Sequence, residues 1–150
     1  MRAVIQRVLE ASIKIEGHPM AQIGAGMLVL LGVEDGDSEI DLNWLVAKVA
    51  NLRIFADAAG KMNLSAIECA ADMMVVSQFT LHASTRKGNR PSFIRAAAPA
   101  VSEPLYDAFC ASMDEQIQKP CIRGVFGADM KVALVNDGPV TICIDSRTRE

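Results

Sequence analysis

Two segments with helical periodicity interrupt a chain that otherwise carries the short apolar runs of β-strands. Ser38, with Asp41 three residues later, forms a capping-box signature, which predicts a helix over 39–51. The second helix is predicted to start at Ser102, with Pro104 tolerated in its first turn. The apolar residues at helical spacing are Leu42, Leu45, Val46 and Val49 in the first segment and Leu105, Phe109, Met113 and Ile117 in the second.

The strand-like segments fall before, between and after these two helices. Segment 3–16 alternates weakly, "MLVLLGV" is a short apolar run, and "DMMVVSQFTL" becomes polar at its end. The other predicted strands are "LRIFA" and the segments 129–136 and 140–145. Because strands and helices do not alternate strictly, the sequence predicts an α+β fold with a mostly antiparallel or mixed sheet. The length of 150 residues favours one domain over 1–150.

Composition indicates a globular protein, with 51% apolar and 22% charged residues. The longest apolar run is too short to cross a membrane, so no membrane partner is expected. The N-terminus "MRAVIQRV" lacks the apolar block and the cleavage site of a signal peptide. We therefore expect a cytoplasmic protein.

Neither a metal nor a cofactor is expected. The four cysteines, at positions 69, 110, 121 and 143, form no C-x-x-C pair, and His18 and His82 are far apart in the sequence. Reduced and mostly buried thiols are the ordinary interpretation in a cytosolic protein. The sequence contains no G-x-G-x-x-G or Walker motif, which weakens the case for a nucleotide cofactor.

Charge is unevenly distributed along a chain whose formal net charge is −3. Segment 73–102 contains no acidic residue, yet it carries four cations, Arg86, Lys87, Arg90 and Arg95. Such a segment can bind phosphate groups. A solvated basic loop without a ligand accounts for the same pattern, and charge alone does not decide between the two.

Polar side chains interrupt an apolar strand at "SQFTL". On a continuing strand, Gln78 and Thr80 would share one face, and Ser77 and Phe79 the other. The pattern fits either a strand that leaves the core or a pocket whose hydroxyl, amide and backbone N–H groups orient a carbonyl or a water. His82, two residues after Thr80, is a conceivable base for a Thr-His dyad, although an exposed histidine after a strand is usually ordinary.

The stretch "NDGPVT" raises a second question. Its Asp-Gly pair predicts a tight hairpin, but Pro139 follows where a returning strand should donate an N–H. Gly138 allows other groups to approach closely, and the Gly138–Pro139 bond is of the type that can be cis. The stretch is therefore either a simple turn or a rigid pair that aims its carbonyl groups as acceptors.

With these residues in view, the chain closely resembles the D-aminoacyl-tRNA deacylase (D-tyrosyl-tRNA deacylase) family. The motifs that match in order and spacing are "MRAVIQRVLEASI", "LVLLGVEDGD", "NLRIF", "GKMNLS", "VVSQFTL", "RKGNRPSF" and "FGADM…VNDGPVT". The resemblance implies a barrel-like sheet with two main helices, a homodimer, and hydrolysis of the ester between a D-amino acid and the 3′ adenosine of tRNA. It implies a role in chiral proofreading during translation.

The resemblance also implies roles for particular residues. Ser77, Gln78, Phe79 and Thr80 are expected to form the catalytic pocket. The residues expected to bind substrate and reject the L hand, through a cis Gly-Pro pair inserted into the partner's pocket, are Asn136, Gly138, Pro139, Val140 and Thr141. Arg86, Lys87, Arg90 and Arg95 are expected to contact the tRNA. One departure is Arg123-Gly124, where the family commonly has Thr-Gly, which leaves the local contact there open.

Three alternatives stay open at this point. A non-catalytic tRNA-binding module would need the basic loop but not both pocket motifs. A related editing deacylase would act on a mischarged L- or achiral amino acid. A hydrolase of small esters would not need the basic loop.

Overall fold

The structure, a computed structural model, describes residues 1–149. Its helices are α1 (Glu39–Ala50) and α2 (Pro99–Ile117), and a single 3-10 turn covers Phe79–His82. The strands are β1 (Arg2–Ile15), β2 (His18–Ile23), β3 (Gly26–Gly32), β4 (Phe55–Ala56), β5 (Met62–Leu64), β6 (Asp72–Ser77), β7 (Ile122–Arg123) and β8 (Met130–Asp145). Two main helices and a mixed sheet confirm the predicted α+β class.

β1 organises the sheet because it is long enough to pair with three other strands. One of its edges pairs antiparallel with β3 and then with β2, while the other pairs with β8 along its whole length. β3 continues the sheet through parallel pairing to β6, and β6 pairs parallel with β7. The result is the mixed, nearly closed and barrel-like sheet that the family resemblance implied.

Alternate residues of the strands feed two apolar clusters on opposite faces of the sheet. Val29 and Leu31 of β3 point towards the helices, where they join buried residues such as Leu45 and Phe109. Leu28 points the other way and packs with Met74 and other residues of the second cluster. Burial of both faces explains why the "MLVLLGV" run is almost wholly apolar instead of alternating.

α1 forms as its signature predicted. The Asp41 carboxylate accepts hydrogen bonds from the backbone N–H and the hydroxyl of Ser38, each at 3.1 Å. The "LRIFA" strand is shorter than expected, since only Phe55–Ala56 is extended and pairs with β5 in a separate two-stranded sheet. No helix of the described residues is long and apolar enough to span a membrane.

The predicted start of α2 was wrong. The helix begins at Pro99, with Ala98 as its N-cap, because Pro99 already supplies a first-turn residue that needs no N–H partner. The Ser102 hydroxyl therefore donates to the Ala98 carbonyl at 3.1 Å within the first turn, and Pro104 lies inside the helix on its exposed side. Phe109 and the other predicted apolar positions that follow it are buried.

The end of the chain differs most from expectation. Segments 129–136 and 140–145 do not reverse around a hairpin, because both lie in the single strand β8 and both pair with β1. Asn136 faces Val8 and Thr141 faces Gln6, so four residues of β8, 137–140, stand opposite one residue of β1. The Asp-Gly-Pro stretch is therefore a bulge that leaves the sheet and returns to it in the same direction.

Candidate active site

A cavity of about 650 Å³ lies where β3 and β6 end. Its walls are the end of β6, the segment leading into α2, and the segment between β7 and β8. The lining residues are Leu31, Val33, Val76, Ser77, Gln78, Phe79, Phe93, Ala96, Ala97, Ala98, Pro99, Ser102, Tyr106, Phe126, Gly127, Ala128, Asp129, Met130 and Val132. Three of the four residues expected to form the catalytic pocket thus line one cavity.

The expected strand through "SQFTL" was wrong, since β6 ends at Ser77. The Gln78 N–H still donates to the Leu31 carbonyl at 2.7 Å, which extends the ladder with β3 by one residue. The chain then winds into the 3-10 turn, so Gln78 and Thr80 do not share a strand face. Instead, the Gln78 side-chain amide donates to the Thr80 hydroxyl at 2.5 Å, and Thr80 does not itself line the cavity.

This turn presents backbone donors at the mouth of the cavity. The first N–H groups of a helical turn have no partner within the turn, and here they belong to Phe79 and Thr80. The Phe79 ring is 57% exposed and meets Phe93 edge to face, with 5.0 Å between ring centroids. A hydroxyl, an amide and backbone N–H groups therefore lie beside an aromatic pair at the cavity entrance.

Tyr106 of α2 is a cavity residue that the sequence reading missed. Its phenol donates to the Val75 carbonyl at 2.9 Å, and its ring packs against Phe126. Burial raises the pKa of Tyr106 well above its usual range, so the phenol stays neutral and acts as a donor. The sequence feature that could have identified Tyr106 is its position one turn before Phe109, on the apolar face of α2.

His82 does not serve Thr80 as a base, and the Thr-His dyad is wrong. The imidazole is fully buried, and burial lowers its pKa, so it is held neutral. Neither ring nitrogen makes a hydrogen bond to any residue in the described range 1–149. The nearest carboxylate is Glu34, whose Oε2 lies 3.7 Å from Nδ1 of His82.

The bulge of β8 is held by polar side chains from β1. The Gln6 side-chain oxygen accepts hydrogen bonds from the Asn136 amide, at 2.6 Å, and from the Thr141 hydroxyl. Asn136 in turn accepts the Val140 N–H at 3.1 Å, which closes the base of the bulge. Gly138 has φ +122° and is followed by a cis peptide bond to Pro139, and both residues are exposed. Residues 136–141 do not line the cavity of their own chain.

Arg7 is a second residue that the sequence reading missed. Its guanidinium Nε lies 3.2 Å from the Asp137 carbonyl and 2.9 Å from the Asp137 carboxylate, and Nη1 donates to the Ile54 carbonyl. The Arg7 side chain is only 13% exposed but that of Asp137 is 40% exposed, so this ion pair is partly shielded from solvent. The only signal in the sequence was its phase, since Arg7 shares a strand face with the apolar residues Ala3 and Ile5.

The four cations of the basic segment separate into two groups. Arg86, Lys87 and Arg90 are exposed on a loop whose base is closed by backbone hydrogen bonds between Ser84 and Ser92. None of the three forms an ion pair with a described residue. Arg95 instead pairs with Glu34, with Nη2 and Oε1 2.5 Å apart. The loop tip is thus a free cationic surface, whereas the charge of Arg95 is already neutralised.

The departure at Arg123 has a local explanation. Its guanidinium pairs with the Asp114 carboxylate at 2.6 Å, and the other oxygen of Asp114 accepts the Cys121 N–H at 2.7 Å. Arg123 therefore joins the end of α2 to β7 and does not line the cavity.

The cysteines only partly match the expectation of buried thiols. All four are free, but Cys69 and Cys143 are exposed, while Cys110 and Cys121 are buried. Within residues 1–149, no three His, Cys, Asp or Glu side chains are grouped so as to hold a metal ion.

Comparison with known proteins shows the family to which this fold and pocket belong. The family model described as D-Tyr-tRNA(Tyr) deacylase matches residues 4–145. A D-aminoacyl-tRNA deacylase of Bacteroides thetaiotaomicron is 54% identical over the full length of both chains, and one of Cytophaga hutchinsonii is 56% identical over the same extent. Fold and pocket define a small α+β enzyme of the hydrolase class. The chain belongs to the D-Tyr-tRNA(Tyr) deacylase family, which confirms the resemblance drawn from its motifs.

Two solved structures have folds similar to that of this chain. The c-Myc DNA Unwinding Element Binding Protein is 38% identical, with a TM-score of 0.92 and coverage of 97% of this chain and 98% of its own. A probable eukaryotic D-amino acid tRNA deacylase is 20% identical, with a TM-score of 0.83 and coverage of 95% and 97%. At that identity, the second comparison supports the fold alone.

Proposed function

We propose that this protein hydrolyses the ester between a D-amino acid and tRNA, releasing free tRNA and the D-amino acid. The observation that carries the proposal is the joint presence, in a chain of this family, of an intact "SQFT" turn on the cavity and a free cationic loop nearby. A non-catalytic tRNA-binding module would have no need of the first feature, and a hydrolase of small esters would have no need of the second. We place the activity in the cytoplasm, where aminoacyl-tRNA is used.

The hydrolysis needs no strong nucleophile from the protein because an aminoacyl ester is already activated. The carbonyl has to be held, its developing oxyanion needs donors, and water must approach in line. In the proposed mechanism, the Ser77 hydroxyl, the Gln78 amide and the N–H of Phe79 supply the donors. These groups are neutral and already positioned by β6 and the 3-10 turn, so they require little rearrangement as the charge develops.

Thr80 is proposed not to attack the ester. Its hydroxyl accepts the Gln78 amide at 2.5 Å and has no base beside it, and an unassisted threonine hydroxyl is a weak nucleophile. We propose that the ribose 2′-hydroxyl of the tRNA helps to activate water. A Thr80→Ala enzyme should then keep a near-normal single-turnover rate, whereas a trapped acyl-threonine would contradict this mechanism.

Chiral selection is proposed to come from the bulge of a second subunit in a homodimer. The bulge is exposed, is held by Arg7 and Asn136, and does not reach the cavity of its own chain, so it is available to a partner. The carbonyls of Gly138 and Pro139 would bind the substrate ammonium group. An L side chain would then meet the backbone, which is rejection by steric clash. Val140 and Thr141 support the bulge.

The exposed loop is proposed to hold the phosphates of the tRNA acceptor stem through Arg86, Lys87 and Arg90. Such contacts position the nucleic acid without reading its sequence, and their affinity falls as salt rises. Arg95 was expected among these contacts, and its pairing with Glu34 makes it the weakest member of the set. A Michaelis constant that does not change with salt would count against this role.

The deciding experiment compares D-alanyl-, L-alanyl- and glycyl-tRNA with one enzyme preparation. The proposal expects hydrolysis of the D-alanyl ester and resistance of the L-alanyl ester. It also expects some activity on glycyl-tRNA, since glycine has no side chain to be rejected. Equal rates for the two alanyl esters would remove the chiral mechanism, and no hydrolysis of any ester would favour a binding module. Sedimentation of the active species tests the homodimer independently.

A further inference from the structure

Glu34 is a buried carboxylate that three parts of the chain share. It follows β3, and its side chain is only 8% exposed. Its Oε1 accepts from Nε of Arg95 and lies 2.5 Å from Nη2 of the same guanidinium. Its Oε2 lies 3.6 Å from the Arg147 guanidinium and 3.7 Å from Nδ1 of His82. It lies in the family-matching stretch "LVLLGVEDGD", but neither pocket motif, "SQFT" or "NDGPVT", includes it.

Two of these partners belong to separate segments of the chain that both line the cavity. Arg95 lies between Phe93 and Ala96, which line one wall, and the Asp35 N–H donates to the Arg95 carbonyl at 3.1 Å. His82 is the last residue of the 3-10 turn that begins at Phe79, which forms another wall. We infer that Glu34 is a positioning residue for the hydrolysis, because its carboxylate sets the spacing between these two walls.

The tight packing around His82 explains how the constraint reaches the turn. A Cβ at Gly32 would lie 3.0 Å from the His82 ring and 2.9 Å from the Gln78 carbonyl, so the ring and the turn already fill the space over β3. With no hydrogen bond from either ring nitrogen to a residue within 1–149, the neutral ring is placed by this packing and by its contact with the Glu34 carboxylate, 3.7 Å from Nδ1. A shift of the ring would move the turn that carries Gln78 and Phe79.

The inference changes the role of Arg95 from a phosphate contact to a brace. Loss of Arg95 would leave the buried Glu34 carboxylate with only the more distant Arg147 guanidinium, at 3.6 Å, which is unfavourable, so the pair with Arg95 holds the 93–98 segment against the end of β3. Positioning and phosphate binding predict different kinetics. Loss of a brace lowers kcat, because misplacement by about 1 Å is worth up to about 100-fold in rate. Loss of a phosphate contact raises KM and weakens the salt dependence.

The test measures kcat and KM for D-alanyl-tRNA at two salt concentrations, with circular dichroism to confirm folding. The variants are Glu34→Gln, Arg95→Gln, Arg95→Lys and the double Gln variant. Arg86→Gln serves as the reference for a phosphate contact, and Glu115→Gln, an exposed carboxylate on α2, controls for loss of an acidic charge. Because Arg95 is half exposed, its variants carry the test even where Glu34→Gln does not fold.

Glu34→Gln and Arg95→Gln are each expected to lower kcat about tenfold or more with KM changed less than about twofold. The double variant should be no slower than the slower single variant, since both single variants already remove the Glu34–Arg95 ion pair. Arg95→Lys should recover part of the rate, because its ammonium still pairs with Glu34. An unchanged kcat for Arg95→Gln, or a change confined to KM and its salt dependence, would overturn the inference.

The inference rests on the proposed placement of catalysis at the 77–80 turn, and one further variant separates the two. Full activity of a Ser77→Ala, Gln78→Ala enzyme would remove catalysis from this cavity and with it the proposed site. Loss of activity in that variant together with normal kcat in the Glu34 and Arg95 variants would leave the proposed site standing and refute only the positioning role.

Discussion

Replacement of Gly138 by Ala tests the bulge through a single methyl group. An added Cβ would lie 2.9 Å from Nη2 of Arg7 and 2.9 Å from Cγ2 of Val140, closer than real Cβ atoms approach other groups. Gly138 also has φ +122°, a conformation that costs an L residue about 1–3 kcal/mol. Either Arg7 gives up its contacts with Asp137 or the backbone of the bulge shifts.

The expected effect on activity is therefore larger than the effect on stability. Gly138 and Pro139 are exposed and only Val140 of the bulge packs against an apolar cluster, so the free energy of unfolding should fall by about 1–3 kcal/mol, which lowers Tm by up to about 10 °C. Displacement of the two carbonyls by about 1 Å should reduce hydrolysis of D-alanyl-tRNA by up to about 100-fold. The ratio of the hydrolysis rates of the D-alanyl and L-alanyl esters should fall as well.

Gly60→Ala is the matched control for this variant. Gly60 has φ +75° and no atom within 4 Å of the added Cβ, so the variant carries the conformational cost without the clash. It should lose about 1–2 kcal/mol of stability and keep its activity. Single-turnover deacylation of both alanyl esters by the two variants provides the comparison. A Gly138→Ala enzyme with wild-type rates and a wild-type D-to-L ratio would refute the argument from the bulge.

Three further outcomes follow from the structure. Although burial alone would raise it, hydrogen bonds from Arg2 and from the N–H groups of Arg147 and Thr148 lower the pKa of Asp145 to about 2. The stabilisation by Asp145 is therefore present above the unfolded-state pKa near 4 and is lost as the pH falls towards 2. Asp145→Asn should lower the free energy of unfolding by roughly 1–2 kcal/mol at pH 6 and by almost nothing at pH 2. An equal loss at both pH values would contradict the ion pair. Tyr106→Phe should lower the free energy of unfolding in urea by about 1 kcal/mol because the hydrogen bond from the buried phenol is lost, although the Val75 carbonyl keeps the Gly124 N–H at 2.8 Å; a neutral effect would mean that the hydrogen bond of the phenol adds no net stability. Arg86→Gln should reduce the slope of log affinity against log salt for uncharged tRNA by about one, whereas an unchanged slope would show that Arg86 does not contact phosphate.

Local signals were enough to predict most elements of this fold. Ser38 and Asp41 predict the start of α1, and the apolar repeat through Phe109 predicts α2, because both patterns depend only on residues close together along the chain. The start of α2 was misplaced for the same reason. Ser102 and Pro99 are both good start signals, and only the path of the chain into the cavity wall selects Pro99.

Only part of the candidate site could be predicted from the sequence. The "SQFT" and "NDGPVT" motifs were recognised, but Glu34, Arg7 and Tyr106 were not, since each acts through a contact with a residue distant in the chain. The fate of His82 shows the limit clearly. Its neighbours in sequence suggested an exposed base, whereas packing against β3 buries it and makes it neutral.

By itself, the sequence determined the class of fold, the family and the two motifs, because those features reside in residue types at fixed spacing. The tertiary structure decided what the motifs become. Pairing of both halves of β8 with the long strand β1 turned an apparent hairpin at Asp137–Pro139 into a bulge. The end of the ladder between β3 and β6 turned an apparent strand at Gln78 into a 3-10 turn. Both outcomes depend on which strand lies alongside, and neighbouring residues in the sequence do not specify that partner.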